Sequence, residues 1–173
     1  MNPIAFDRSR LAGLLLVLGG LLAGLPLHAQ PVAASRSSTG TPAEAAAAQA
    51  VVQGLLQQHF KTDMVFNTAS VNAKAARLTP DLQRRLLQQL ARPVPADEVP
   101  DIDGDPFTNA QDLPTRFQLE PAQLSGTQAE VAVRFSGHGM HERVRYVLQR
   151  VDGQWRVDDL RYADGSTLRQ LLH

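Results

Sequence analysis

Apolar residues recur along this chain with two periods, and the change from one to the other falls a little past its middle. Val51, Val52, Leu55, Leu56, His59 and Phe60 follow one another at helical spacing, which gives one stripe of a helix that needs a partner surface. Thr41 suits the cap ahead of it, Pro42 the first helical position, and Glu44 can reach back to the cap, so a capping box starts the helix. The alanines that follow favour helix but bury little. Thr79-Pro80-Asp81 repeats the start signal. Leu82, Leu86, Leu87 and Leu90 form the second stripe, Arg84, Arg85, Gln88 and Gln89 face water, and Pro93 and Pro95 end the helix.

Beyond a Pro- and Asp-rich loop from Pro93 to Pro114 the period becomes two. Thr115 to Pro121 reads as a strand with Phe117 and Leu119 on one face. Ala129, Val131, Val133 and Phe135 alternate with Glu130 and Arg134. Val144, Tyr146 and Leu148 alternate with Arg143, Arg145 and Val147, and Trp155 and Val157 with Arg156 and Asp158. Ser125-Gly126, Gly137-His138-Gly139 and Asp152-Gly153 separate these runs with residues that turn cheaply. Strands so closely spaced pair as an antiparallel meander. Ser166 is placed to cap a short last helix whose Leu168, Leu171 and Leu172 turn inward. The predicted fold is α+β: N-terminal helices packed on a curved antiparallel four-stranded meander, then a short C-terminal helix, as a single domain over residues 42–173.

The N-terminus follows a different pattern. Arg8 and Arg10 precede an apolar run from Leu11 to Leu27, and Leu27-His28-Ala29 ends it on a small residue. This is the order of a cleavable secretory signal over residues 1–29, with a flexible lead over 30–41. The run sits at the lower limit of the ~17–25 residues a spanning helix needs, and Pro26 and several glycines weaken an anchor reading further. The expected location is the periplasm or the exterior, with no stable membrane anchor after cleavage. The chain has no cysteine, so it has neither a disulfide nor an acylated lipoprotein Cys, and burial alone must hold it. Lys+Arg and Asp+Glu are both 17, without the basic stripe of a nucleic-acid binder.

Two segments carry a family resemblance. One is Asp103-Gly104-Asp105-Pro106-Phe107 followed by Ala110-Gln111-Asp112. The other is Gly153-Gln154-Trp155-Arg156-Val157-Asp158-Asp159-Leu160-Arg161-Tyr162, closed by Gly165-Ser166-Thr167-Leu168-Arg169-Gln170. Together they resemble the bacterial envelope family known as domain of unknown function 3828, across about Ala47 to Leu172. The resemblance implies the cone-shaped, cystatin-like fold of the superfamily named after nuclear transport factor two. It implies no particular activity.

The acidic loop Asp101 to Asp112 places oxygen side chains in the register of an EF-hand loop, but Gly104 and Pro106 occupy the wrong positions and Asp112 replaces the closing Glu. The alternative is structural: Asp103 and Asp105 cap turns and Phe107 plugs the core. His138 and His141 lack a third fixed ligand for zinc, and His59 reads as a half-buried packing residue. Enzymes of the resembled superfamily work with an Asp paired to His or Tyr inside the cone. Asp158 and Asp159 beside Arg161 and Tyr162 are the dense candidates, against which stands a structural role pairing with Arg161 or capping the last helix. No nucleophile triad, phosphate loop or dinucleotide fingerprint is present, and no cofactor or metal is implied.

The leading expectation is therefore a non-enzymatic envelope domain that binds a protein partner, another envelope protein, through its concave sheet face or its acidic loop. An immunity or inhibitor role falls within that class. The candidate binding residues are Asp103, Asp105, Phe107, Gln111, Asp112, Asp158, Asp159, Arg161 and Tyr162. A small-molecule binder or enzyme with a pocket inside the cone and a calcium-stabilised module are the alternatives, and exposed strand edges leave a homodimer open.

Overall fold

The computed structural model describes residues 40–62, 64–93, 102 and 104–172. The secretory pattern, Asp101 and Asp103 lie outside the described residues. Helix α1, Pro42–Lys61, starts at the expected capping box: Thr41 Oγ1 accepts from the Glu44 amide at 3.2 Å and Glu44 accepts from the Thr41 amide at 2.9 Å. Its inner face buries Ala48, Val52, Leu55, Leu56 and His59, with Val51 and Phe60 at the margin.

A second helix, α2 (Thr68–Ala73), and a 3₁₀ turn (Ala75–Arg77) then follow, which the sequence pattern did not predict. Six residues with one buried apolar side chain, Val71, make no stripe. Local capping holds the helix instead: Asn67 accepts from the Ser70 amide at 2.8 Å and Ser70 Oγ accepts from the Asn67 amide at 3.3 Å. Helix α3, Pro80–Ala91, is capped by Thr79 and buries Leu82 and Leu86 completely, while Leu87 and Leu90 are half-buried.

The strands are β1 (Arg116–Leu119), β2 (Gln123–Ser125), β3 (Gln128–Gly137), β4 (Met140–Val151) and β5 (Gln154–Arg161), all antiparallel, in the order β1-β3-β4-β5. β2 pairs with the first residues of β3 and β1 with its last ones. The expected first strand, Thr115 to Pro121, is β1; β2, which the sequence pattern did not predict, continues the same edge beyond Pro121, which has no N–H to give the ladder. Glu120 N still donates to Ala132 O at 2.8 Å just before Pro121. Asp152 (φ 51°) and Gly153 (φ 77°) make the β4–β5 turn with both residues left-handed, as a type I′ hairpin requires. Between β4 and β5 the register slips, leaving Asp158 unpaired at a bulge. The far side of β5 is covered: Leu78 bridges Val157, and Thr79 N donates to Val157 O at 2.8 Å. Helix α4, Leu168–Leu171, is capped by Thr167; Ser166, the expected cap, bonds back to Asp164 instead.

The fold is α+β, as the two periods predicted. The inner sheet face, from Val131, Val133 and Phe135 through Val144, Tyr146 and Leu148 to Trp155, Val157 and Leu160, is filled by α1, α3 and Phe107. Among the described residues no helix is long and apolar enough to cross a membrane.

Candidate functional site

The acidic loop turns its chemistry inward. Asp105 is 5% exposed and Phe107 fully buried. Asp105 Oδ2 lies 2.8 Å from His59 Nε2 on α1 and accepts from Thr108 Oγ1 at 2.6 Å, while Oδ1 accepts from the Phe107 amide at 3.2 Å. The backbone closes behind them, Asp105 N donating to Ala110 O at 3.0 Å and Asn109 N to Asp105 O at 2.9 Å. Gly104 (φ 100°) leads into this turn where a Cβ would stand 2.9 Å from Ala110 O, so only glycine fits. Both carboxylate oxygens of Asp105 are therefore occupied by protein groups and do not point outward as calcium ligands would.

Lys74, which no sequence signal singled out, is fully buried beside the same loop. Its Nζ donates to Ser70 O at 3.0 Å and sits 5.1 Å from the centre of the Phe107 ring. Burial lowers the Lys74 pKa and the Asp105 charge pulls it back up. From the sheet, Tyr146 donates to Phe107 O at 2.6 Å and Tyr162 to Pro106 O at 3.0 Å. Burial first, then the charge of Asp105, pushes both phenols above their ordinary pKa. Asp, His, Lys and two Tyr are acid–base residue types, yet here Asp105 holds His59, Lys74 bonds the Ser70 carbonyl of α2, and the two phenols bond the loop's carbonyls. Leaving one of these buried polar groups without its partner typically costs about 1–3 kcal/mol, so the cluster locks the loop onto α1 and the sheet. His59 is a fully buried residue hydrogen-bonded to Asp105 rather than the half-buried packing residue expected, and its Nδ1 has no partner.

The C-terminal candidates diverge. Asp158, at the bulge, accepts from Thr79 Oγ1 (2.9 Å), Gln149 Nε2 (3.0 Å) and Arg169 Nη2 (2.6 Å). Asp159 accepts from the Leu160 and Arg169 amides, the latter inside α4, so it serves the last helix. Arg161 pairs with Glu130, not with either aspartate. Of these four, Tyr162 joins the acidic loop, through its hydroxyl bond to Pro106 O. A surface cleft of about 410 Å³ runs past this junction, lined by Ile102, Asn109, Gln111, Tyr162 and Asp164. Gln111 and Asp112 are exposed. His138 and His141 are exposed on the β3–β4 hairpin, and among the described residues no three His, Asp or Glu side chains gather as a metal site.

The outer sheet face is a feature that sequence reasoning missed as a site, although the alternating arginines were legible. Residues facing away from the helices include Arg116, Arg134, Arg143, Arg145 and Arg161. Glu120 lies 2.9 Å from Arg134 Nη2 and 2.8 Å from Arg143 Nη2, and Glu130 lies 3.6 Å from Arg145 Nε and 3.2 Å from Arg161 Nη1. Arg143 holds the Glu120 carboxyl below its usual pKa. On the same face Ala132 stands opposite Arg145, and Val147 stands between Glu130 and Asp159; both are nearly buried apolar positions among the charges.

No family model and no curated protein matches the chain. Among solved structures it is similar to a chain of the crystal structure of the type VI native effector-immunity complex Tae3-Tai3 from Ralstonia pickettii, at 22% identity over 68% of this chain and 93% of that one, with a TM-score of 0.48.

Proposed function

We propose that this protein is an exported, non-catalytic module of the cell envelope that acts by binding a protein partner. The observation that carries the reading is the commitment of the interior. The inner sheet face is filled by Phe107, Phe135, Tyr146 and Trp155; the buried Asp105 is held by His59 and Thr108, and the buried Lys74 by the Ser70 carbonyl. A deep apolar cavity lined by Asp158 or Asp159 and Tyr162 would favour an enzyme or small-molecule carrier instead. Those side chains instead hold α3, α4 and the acidic loop. What remains for recognition is surface. The Arg8-to-Ala29 pattern supports export.

The test is crosslinking in intact producing cells, with the protein expressed from its full sequence and carrying a C-terminal tag. One defined envelope protein should be recovered in repeated experiments. Recovery of no specific partner would overturn the reading.

A further inference from the structure

We propose that the outer face of the sheet is the partner-binding surface and that it takes an acidic protein segment, whose carboxylates seat on Arg134, Arg143, Arg145 and Arg161. This rests on the protein-binding reading above and names its surface and partner chemistry.

The charge balance of the face points outward. Each glutamate serves two arginines, so each triad keeps one guanidinium charge uncompensated. Arg116 adds a further positive charge and Asp159 a negative one on the same side. The acids are also recessed. The side chains of Glu120 and Glu130 are 26% and 30% exposed, against 42–65% for the four arginines. An approaching surface therefore meets guanidinium groups first, whose planar forks suit carboxylates. The glutamates fix those groups from behind, which reduces the side-chain ordering that binding must cost. Ala132 and Val147, 8% and 6% exposed, lie low among the charged side chains, so the arginines stand above the surface that a partner would meet.

The same mosaic disfavours phosphate polymers and anionic bilayers. Glu120, Glu130 and Asp159 cancel part of the positive potential that a phosphate lattice would need, and the chain as a whole has no net charge. A protein segment can place carboxylates opposite the arginines and leave the recessed acids uncontacted. Charge complementarity of this kind acts chiefly on the rate of association.

The experiment uses protein expressed from the full sequence in four forms: wild type, Arg145→Glu/Arg161→Glu, the milder Arg145→Gln/Arg161→Gln, and a control, Lys61→Glu/Arg84→Glu, with the same charge change on the helices. Circular dichroism first checks that each form is folded. Crosslinked partner recovery is then compared across the set, with an octaglutamate peptide as competitor and phosphatidylglycerol vesicles as the lipid probe. The expected result is a partner recovered by wild type and control and displaced by octaglutamate. Its association should be about tenfold slower with the Gln pair and abolished by the Glu pair. A partner recovered equally by all four forms would overturn this surface and leave the protein-binding reading standing. Vesicle binding lost with the Glu pair, without a charge-dependent protein partner, would assign the face to lipid and overturn the proposal. No partner for the wild type would remove the underlying reading itself.

Discussion

Tyr146 and Tyr162 are the only tyrosines of the chain, and both give their hydroxyl hydrogens to carbonyls of the same loop. Burial disfavours the ionised form of either phenol, and the nearby Asp105 charge adds to this, which is why both pKa values rise. A phenol whose folded pKa lies above its unfolded value of about 10 contributes nothing to the pH dependence of stability well below that value. Above it the unfolded chain releases protons that the native chain keeps, so stability falls with pH, by up to about 1.4 kcal/mol per pH unit for each phenol. Lys74 works the other way. Its folded pKa is lowered, so stability gains as pH rises toward the unfolded value near 10.5 and then levels off. Past that point the tyrosines alone set the slope. The expected outcome is that native protein shows no tyrosinate absorbance at pH 10, and that tyrosinate appears together with the loss of circular dichroism. An ordinary phenol titration with intact dichroism would contradict the burial of these hydroxyls. Little of this cluster was legible beforehand. Asp105 as a turn cap and Phe107 as a core plug follow from residue type, and His59 stood out within an apolar stripe. Lys74 sits in a polar stretch that looks like any solvated helix end, and its burial depends wholly on a tertiary neighbour.

Elements were legible where their signals are local. Thr41 and Thr79 start their helices, and the period-two runs pair in chain order. α2 is hidden because six residues cannot display a stripe, and β2 because three residues beyond Pro121 are too few to show a period. The join of β1 to β3 depends on Gly137 (φ 152°), where an added Cβ would lie 2.6 Å from both the amide and the hydroxyl of Thr115. Gly139 (φ 82°), in the same hairpin, has open space around it. Gly137→Ala therefore meets both conformational strain and a backbone clash, while Gly139→Ala meets only the first. The first should cost about 2–3 kcal/mol and the second about 1 kcal/mol, read from urea unfolding at neutral pH. Equal costs would mean that β1 is not held through this approach.

At the scale of the molecule, one side chain near the C-terminus ties three distant segments together. Arg169 donates from Nη1 to Asp81 on α3 at 2.6 Å, from Nη2 to Asp158 Oδ1 at 2.6 Å and from Nε to Asp158 O at 2.8 Å. Sequence spacing could not reveal this, because the bulge that frees Asp158 is itself a product of strand register. The Arg169 bond is the first cause that holds the Asp81 carboxyl down at about 2. A carboxyl depressed in the folded state contributes stability above its unfolded pKa, and that contribution is lost as pH falls from about 4 toward 2. Asp81 is 37% exposed, so solvent screening limits its share to a fraction of what the shift alone would suggest. Arg169→Met keeps the apolar stem and removes the donors. The expected loss is about 1–2 kcal/mol at pH 7, most of it from the partly buried bonds to Asp158. The gap between variant and wild type should narrow as the solution is acidified through this range, because protonating Asp81 removes its attraction for Arg169 in the wild type. Hydrogen exchange should quicken in α4 and at the Val157–Leu78 edge while the β3–β4 ladder stays protected. A gap that holds constant down to pH 2.5, or faster exchange spread evenly over the sheet, would show that Arg169 is not the tie between the two ends of the fold.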